Sequence, residues 1–308
     1  MKPSVKQNEL SIRNPKILCV GEILWDMLPD GAKAGGAPMN VALHLKKFGF
    51  DVKFAGRIGF DQLGHDLKDF LNNQGLDISL LQVDSDLPTS TVKVYLADDH
   101  QVRFEIVDNV AWDRIELTDN LAEAAREASV IIYGTLASRH TFTRDNILSL
   151  LNNNCIKLID VNLRPPFNSQ DVVEKLISKA DIVKLNDDEL KVIAGWHRKL
   201  NDENNLTKWF AERFNCEIVC VTRGAHGALV YNKGRIYAHP GYNVNVVDTV
   251  GSGDAFLAGF LSVYLSGGKP ENALDFACAT GALVATKAGG TPEYHPDEIA
   301  KILGKQFA

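Results

Sequence analysis

Short runs of consecutive apolar residues alternate along this chain with stretches whose apolar positions recur every three or four residues. The runs are "KILCV" at 16–20, "ASVIIYG" at 128–134, "IKLIDVN" at 156–162, "DIVKLN" at 181–186 and "EIVCVT" at 217–222. Between them lie "APMNVALHLKKFGF", "DQLGHDLKDFLNNQG", "TRDNILSLLNN", "DVVEKLISKA", "DDELKVIAGW" and "NLTKWFAERF", which carry helical periodicity. Fully apolar strands separated by amphipathic helices predict an α/β fold, with a mostly parallel central sheet covered by helices on both faces. One region breaks the rhythm. Residues 89–107 alternate apolar and polar and split around "DDH", which predicts an antiparallel hairpin. "DVKFAGRIG" at 51–59 reads as one further strand.

No internal repeat, low-complexity tract or linker interrupts this pattern. The expected organisation is a polar tail over 1–15 and a single α/β domain over 16–308, with β pieces near 27–38 and 88–110 inserted on it. Composition narrows the function. The 308 residues are 45% hydrophobic, enough for a large core. A net charge of −6 with no Lys/Arg block argues against nucleic acid as a partner. No apolar run reaches the roughly 18 residues of a membrane span. The polar start "MKPSVKQNELSIRNP" lacks a secretory pattern, so the expected compartment is the cytoplasm. The five cysteines (Cys19, Cys155, Cys216, Cys220, Cys278) form no CxxC pair, and buried reduced thiols are expected.

Parallel sheets bind ligands at the carboxyl ends of their strands. Near the end of the chain, "DTVGSGD" at 248–254 runs directly into the apolar helix "AFLAGFLSVYLSGG". Gly251 and Gly253 let a backbone approach a ligand closely. The first N–H groups of a helix lack intrahelical partners and favour an anion, commonly a phosphate. A carboxylate at Asp254 beside such a seat has a use if it takes a proton while charge spreads over a transferring phosphoryl group. The plainer alternative is that Asp254 or Asp248 caps the helix. A P-loop is excluded because GxxxxGK[ST] is absent, and a GxGxxG fingerprint fails because Phe256 stands where its last glycine belongs.

"DTVGSGD" resembles the C-terminal signature of the ribokinase-like (PfkB-type) carbohydrate kinases, D-T-x-G-x-G-D. "GGAPMNVALHLKKFG" at 35–49 resembles their glycine-pair motif, and "GRIGFDQLG" at 56–64 the segment that follows it. The likeness extends from about residue 16 to 300, and "GEILWDMLP" and "DVNLRPP" are most similar to bacterial fructokinases. The resemblance implies a three-layer ribokinase-like sandwich with a small β lid. It implies a Mg²⁺-dependent transfer from ATP to a sugar hydroxyl, with Asp254 as base and the N–H groups of Gly251, Ser252 and Gly253 as anion hole. Fructose is the first expected substrate, with ribose and 2-keto-3-deoxygluconate as alternatives. A non-catalytic binder of sugar or nucleotide is the alternative from another class.

By the same resemblance the sugar pocket is Asp26, Gly35, Gly36 and Asn40, with Arg103 and Phe104 reaching it from the lid. Asp26 is expected at the end of the first strand, where its carboxylate accepts hydroxyl hydrogens; a turn residue is the alternative. Arg164 in "DVNLRPPF" is expected near the substrate or the transferring phosphate. A bidentate guanidinium suits that place, and a surface arginine before a Pro-Pro turn is the alternative. "NDDE" matches an N-x-x-E motif, assigning Asn186 to the nucleotide and Glu189 to Mg²⁺ through water, although the same spacing describes a capping box. Thr222, Gly224 and Gly227 of "TRGAHG" match a nucleotide-phosphate loop, or else a plain glycine turn in which His226 is exposed. A monovalent cation such as K⁺ is expected near Asp248 and the "AGG" at 288–290. Cys278, in "FACA", departs from the asparagine of many relatives beside adenine. Exposed lid edges imply a homodimer.

Overall fold

The chain is described by a computed structural model over residues 14–28, 31–96 and 102–304, without the side chains of 93–96 and 102–104. It opens with β1 (Lys16–Val20), β2 (Leu24–Leu28), β3 (Gly31–Gly35), α1 (Ala37–Lys47), β4 (Asp51–Ala55), β5 (Arg57–Gly59) and α2 (Gln62–Asn73). Then come β6 (Gln82–Asp84), β7 (Ser90–Leu96), β8 (Val102–Ile106), α3 (Asp119–Glu127), β9 (Val130–Gly134), α4 (Thr141–Leu150) and β10 (Ile156–Asp160). The second half holds α5 (Gln170–Ile177), β11 (Ile182–Asn186), α6 (Asp187–Trp196), α7 (Glu203–Phe214), β12 (Ile218–Thr222), β13 (Ala228–Asn232) and β14 (Arg235–His239). It closes with α8 (Ser252–Tyr264), α9 (Pro270–Ala285) and α10 (Pro296–Gly304).

The apolar runs pair into one eight-stranded sheet of order β14-β13-β12-β11-β10-β9-β1-β4. From β12 to β4 the neighbours are parallel, and β13 and β14 add antiparallel strands at one edge. The runs are apolar at most positions because both faces are covered, with Asp160 and Lys184 as buried exceptions. Alternation then sorts their residues. Leu18, Val20, Ile131, Tyr133, Ile159, Val183, Leu185, Val219 and Val221 pack with α3 to α7. Ile17, Cys19, Val130, Ile132, Leu158, Ile182, Ile218 and Cys220 pack with α1, α2, α8 and α9 on the other side. This is the expected three-layer sandwich. The same alternation places Asp160 and Lys184 on the α8 side, and their strands are in register, so the two are adjacent.

A second sheet of order β3-β2-β7-β8 sits on this core. The hairpin expected at 89–107 is β7 and β8, paired antiparallel. The other expected lid segment, 27–38, is shifted. Strand β2 already begins at Leu24, and by Ala37 the chain is in α1. Asp26 therefore does not end the first strand. After β1 the chain leaves the main sheet, and Asp26 lies mid-way along β2, paired with Lys33 of β3 and Val92 of β7. The single strand expected at 51–59 also divides, since β5 departs from the main sheet to pair with β6.

Candidate active site

The carboxyl ends of the parallel strands lie in a row. Glu22 follows β1, Asp160 ends β10 opposite Gly134 of β9, and Asn186 ends β11 opposite Thr222 of β12. Over this row comes the start of α8. Gly251 is its N-cap residue, with φ +73 and no side-chain cap bond. A Cβ there would lie 2.3 Å from the Gly290 carbonyl oxygen, so any side chain would collide with the 288–290 turn in a backbone conformation L-residues avoid. The helix-cap readings of the two aspartates both fail. Asp248 accepts from the N–H of Val250 at 3.0 Å and of Gly289 at 2.9 Å, which ties the loop to the glycine turn. Asp254 is 7% exposed, and its Oδ2 accepts from Asn40 Nδ2 at 2.8 Å. One expected anion donor is already engaged: the Ser252 N–H donates to the Thr249 carbonyl at 3.2 Å, closing a turn. The donors left open by helix geometry are the N–H groups of the next first-turn residues, Gly253 and Asp254.

Helix α1 presents Asn40 and, one turn later, His44 to this region. His44 Nε2 meets the Gly290 carbonyl at 3.0 Å and Nδ1 meets the Tyr294 hydroxyl at 2.9 Å. Burial pushes the ring's pKa down to about 4, so the neutral imidazole donates from Nε2 and accepts at Nδ1. His44 thus fixes the glycine turn against which Gly251 rests, and Asn40 holds Asp254 beside it. Asn40 Oδ1 is buried with no hydrogen-bond partner among the described residues.

Below the start of α8 lies a cluster of buried charges. Lys184 Nζ contacts Asp160 Oδ1 at 2.8 Å and Oδ2 at 3.1 Å, and Lys184 is 6% exposed. Burial alone would lower the lysine's pKa, but the charges of Asp160, Asp254 and Glu189 outweigh it and hold the ammonium above its ordinary value. Asp254 is pushed up to about 7, first by burial and then by the Asp160 charge, against the opposing Lys184 charge and the Asn40 hydrogen bond. Glu22 is raised as well, chiefly by burial, and its Oε2 has no hydrogen-bond partner among the described residues.

The glycine pair has a steric basis. A Cβ on Gly35 would lie 2.6 Å from Asp26 Oδ2, so glycine makes room for that carboxylate; Gly36, at φ +124, abuts the Glu22 carbonyl. Burial raises the pKa of Asp26, with the Arg164 charge opposing and the Asp248 charge reinforcing. Arg164 itself bonds Asn162 Oδ1 at 2.9 Å and the Leu163 carbonyl at 3.1 Å. Arg103 and Phe104 fall on β8, and their side chains lie outside the described residues.

A family model described as pfkB family carbohydrate kinase matches residues 30–296. The chain belongs to the pfkB family of carbohydrate kinases. Among curated relatives, fructokinase-2 of Oryza sativa subsp. japonica is 30% identical over 93% of this chain and 93% of that protein. The fructokinase of Klebsiella pneumoniae is 29% identical over 94% of this chain and 100% of that protein. Among solved structures, the fructokinase with bound ATP from Xylella fastidiosa superposes with a TM-score of 0.84 at 24% identity, covering 96% and 100% of the two chains. The aminoimidazole riboside kinase of Salmonella enterica superposes at 0.79 with 23% identity, over 94% of this chain and 99% of that one. One scaffold therefore serves different acceptors.

In this pfkB kinase the N-x-x-E pair forms a complete capping box. Asn186 Oδ1 accepts from the Glu189 N–H and Glu189 Oε2 accepts from the Asn186 N–H, each at 2.8 Å. Glu189 Oε1 takes the Leu163 N–H at 2.8 Å, holding the Arg164 loop to α6. "TRGAHG" is a turn between β12 and β13: Gly224–His226 is a short 3₁₀ segment, closed by the Arg223 N–H on the Gly227 carbonyl at 2.8 Å. His226 is exposed there. Cys278 is a buried thiol whose pKa rises to about 12, chiefly by burial. Sequence reasoning passed over Glu22, His44, Asp160 and Lys184. Its available signal was a charge inside an otherwise apolar run, as in "DIVKLN". No helix among the described residues is long and apolar enough to cross a membrane.

Proposed function

We propose that this kinase transfers the γ-phosphoryl group of ATP to the primary hydroxyl of fructose, giving fructose 6-phosphate. The observation that carries the reading is the uncapped start of α8 with a buried, proton-seeking carboxylate in its first turn, steered by Asn40. The curated fructokinase relatives support fructose as the acceptor. Asp26, Gly35, Gly36 and Asn40 hold the sugar, joined by Arg103 and Phe104 from the lid. Asp254 accepts the hydroxyl proton. The freed oxygen bonds to the γ-phosphorus, the bond from that phosphorus to the β,γ-bridging oxygen breaks, and ADP leaves with the electron pair. The open N–H groups of Gly253 and Asp254, with that of the N-cap Gly251 and not the engaged one of Ser252, and the Arg164 guanidinium stabilise charge on the transferring group. Asn186, Thr222, Gly224 and Gly227 line the nucleotide.

The buried carboxylates of Glu22 and Glu189 are the hard oxygen donors that suit Mg²⁺, which keeps most of its waters, whereas both Asp160 oxygens are taken by Lys184. When bound, Mg²⁺ neutralises nucleotide phosphate charge. Asp248 and the 288–290 turn, already joined by a hydrogen bond, are the seat for a monovalent cation. The molecule acts as one kinase domain whose small sheet closes as a lid and excludes water. Its edge strands, β3 and β8, are the natural surface for a homodimer. The test is a coupled ADP-release assay over fructose, ribose, 2-keto-3-deoxygluconate and other sugars, with and without potassium. Fructose should give the highest kcat/KM. Turnover on another sugar at more than about tenfold higher kcat/KM would reassign the acceptor. Tight nucleotide binding with no turnover at all would make the protein a binder.

A further inference from the structure

Lys184 is a cation in a position its strand otherwise reserves for the core. Burying an ammonium costs several kcal/mol unless it is compensated, and compensation here is more than sufficient. Asp160 contacts it twice, and Glu189 and Asp254 add their charges. A chain that needed only packing on the α8 side of β11 would carry another Ile or Val there, as at Ile182. The place where the ammonium ends is specific. Its Nζ lies 3.1 Å from where a Cβ on Gly253 would stand, directly against the first turn of α8. Glycine at 253 leaves that approach uncovered. Asp160 engages its two nearest N–H bonds, and an ammonium has three donors.

We infer that Lys184 is a catalytic residue, whose remaining N–H meets an oxygen of the transferring phosphoryl group at the start of α8, with Asp160 as its anchor. The inference rests on the phosphoryl-transfer reading above. It explains how a dianionic group enters a pocket lined by Glu22, Asp160, Glu189 and Asp254. Backbone N–H groups alone carry only partial charge, whereas Lys184 supplies a whole one that is fixed before the substrate arrives. It touches the charge as it spreads, so its effect belongs in kcat and in the binding of a transition-state mimic. Ground-state sugar binding should be indifferent to it.

Lys184→Met alone leaves Asp160 buried and uncompensated, so the decisive variant is Lys184→Met with Asp160→Asn, which removes both charges and keeps the shapes. The readouts are the melting curve, sugar and ADP affinities by calorimetry, steady-state kinetics with the best sugar, and binding of ADP with aluminium fluoride in the presence of that sugar. The expected result is a folded protein with sugar and ADP affinities within about threefold of wild type, kcat lower by about 100-fold or more, and the aluminium fluoride complex weakened to match. A kcat within about threefold of wild type overturns the inference, as does a loss confined to KM or to stability. Should the double variant not fold, Lys184→Gln and Lys184→Arg are compared by the same readouts. Equal kcat in those two overturns it, and a kcat at least about tenfold higher in Lys184→Arg supports it. Failure of the functional reading has its own signature, wild-type protein inactive on every sugar, and takes this inference with it.

Discussion

Two helices begin at the carboxyl edge of the same sheet, and they begin in opposite ways. Helix α6 starts with Asn186, whose side chain and that of Glu189 exchange hydrogen bonds with each other's backbone. Its first-turn donors are served from within the chain. Helix α8 starts with Gly251, has no side-chain cap, and directs its first-turn carboxylate to Asn40 on another helix. Residues 251–253 are only half-buried, so the first-turn N–H groups that no part of the chain caps are open to solvent or to an incoming anion. The difference separates structure-keeping from ligand-holding: the same "acid three residues into a helix" spacing closes one helix and leaves the other open.

The comparison breaks hardest at Gly251. Replacing it with alanine puts a Cβ within 2.4 Å of Gly290 backbone atoms at φ +73. The expected cost is about 2–4 kcal/mol of stability and at least about 100-fold in kcat through displacement of the first turn, read by denaturant melts and steady-state kinetics. Next comes pH. Asp254 must be ionised to accept a proton, and burial raises its pKa to about 7 in the free protein. The profile of kcat/KM should therefore fall about tenfold per unit below that pH; a limb near the ordinary carboxylate range would remove Asp254 from the role. The smallest effect belongs to the closed helix. Asn186→Ala should cost about 1 kcal/mol as a lost cap and change kcat by no more than about tenfold. A kcat loss as large as that of Gly251→Ala would erase the distinction between the two helix starts.

The layers were legible because parallel strands covered on both faces must be apolar at most positions, and "SVIIYG" or "EIVCV" has no other economical home. The open helix start was only half legible, because the spacing of Gly-Ser-Gly-Asp before an apolar helix suits a capping aspartate equally well, and the likeness of "DTVGSGD" to the family signature is what favoured the open reading. Asp26 was misplaced for a related reason. "KILCVGEILWDMLP" starts with a continuous apolar strand whose expected end is Asp26, and only the pairing of β2 with β3 and β7 shows that the chain changes sheets after Val20. The Asp160–Lys184 pair needed knowledge that β10 and β11 are neighbours in register, which periodicity within a strand does not contain. His44 sits in a helix whose other inward positions, apart from Asn40, are apolar, and its tie to Gly290 spans 246 positions of the chain.

The central claim is tested most directly by Asp254→Asn, which keeps the shape and the Asn40 contact and removes the base. The account predicts a kcat lower by about 10³-fold with sugar and nucleotide affinities within about threefold of wild type. Asp254 also binds its proton more tightly folded than unfolded, so wild-type stability falls as pH rises from the unfolded carboxylate range through about 7. The variant, with no charge to bury, should melt higher than wild type above that pH. A variant that turns over within about tenfold of wild type would contradict the account, whatever its stability.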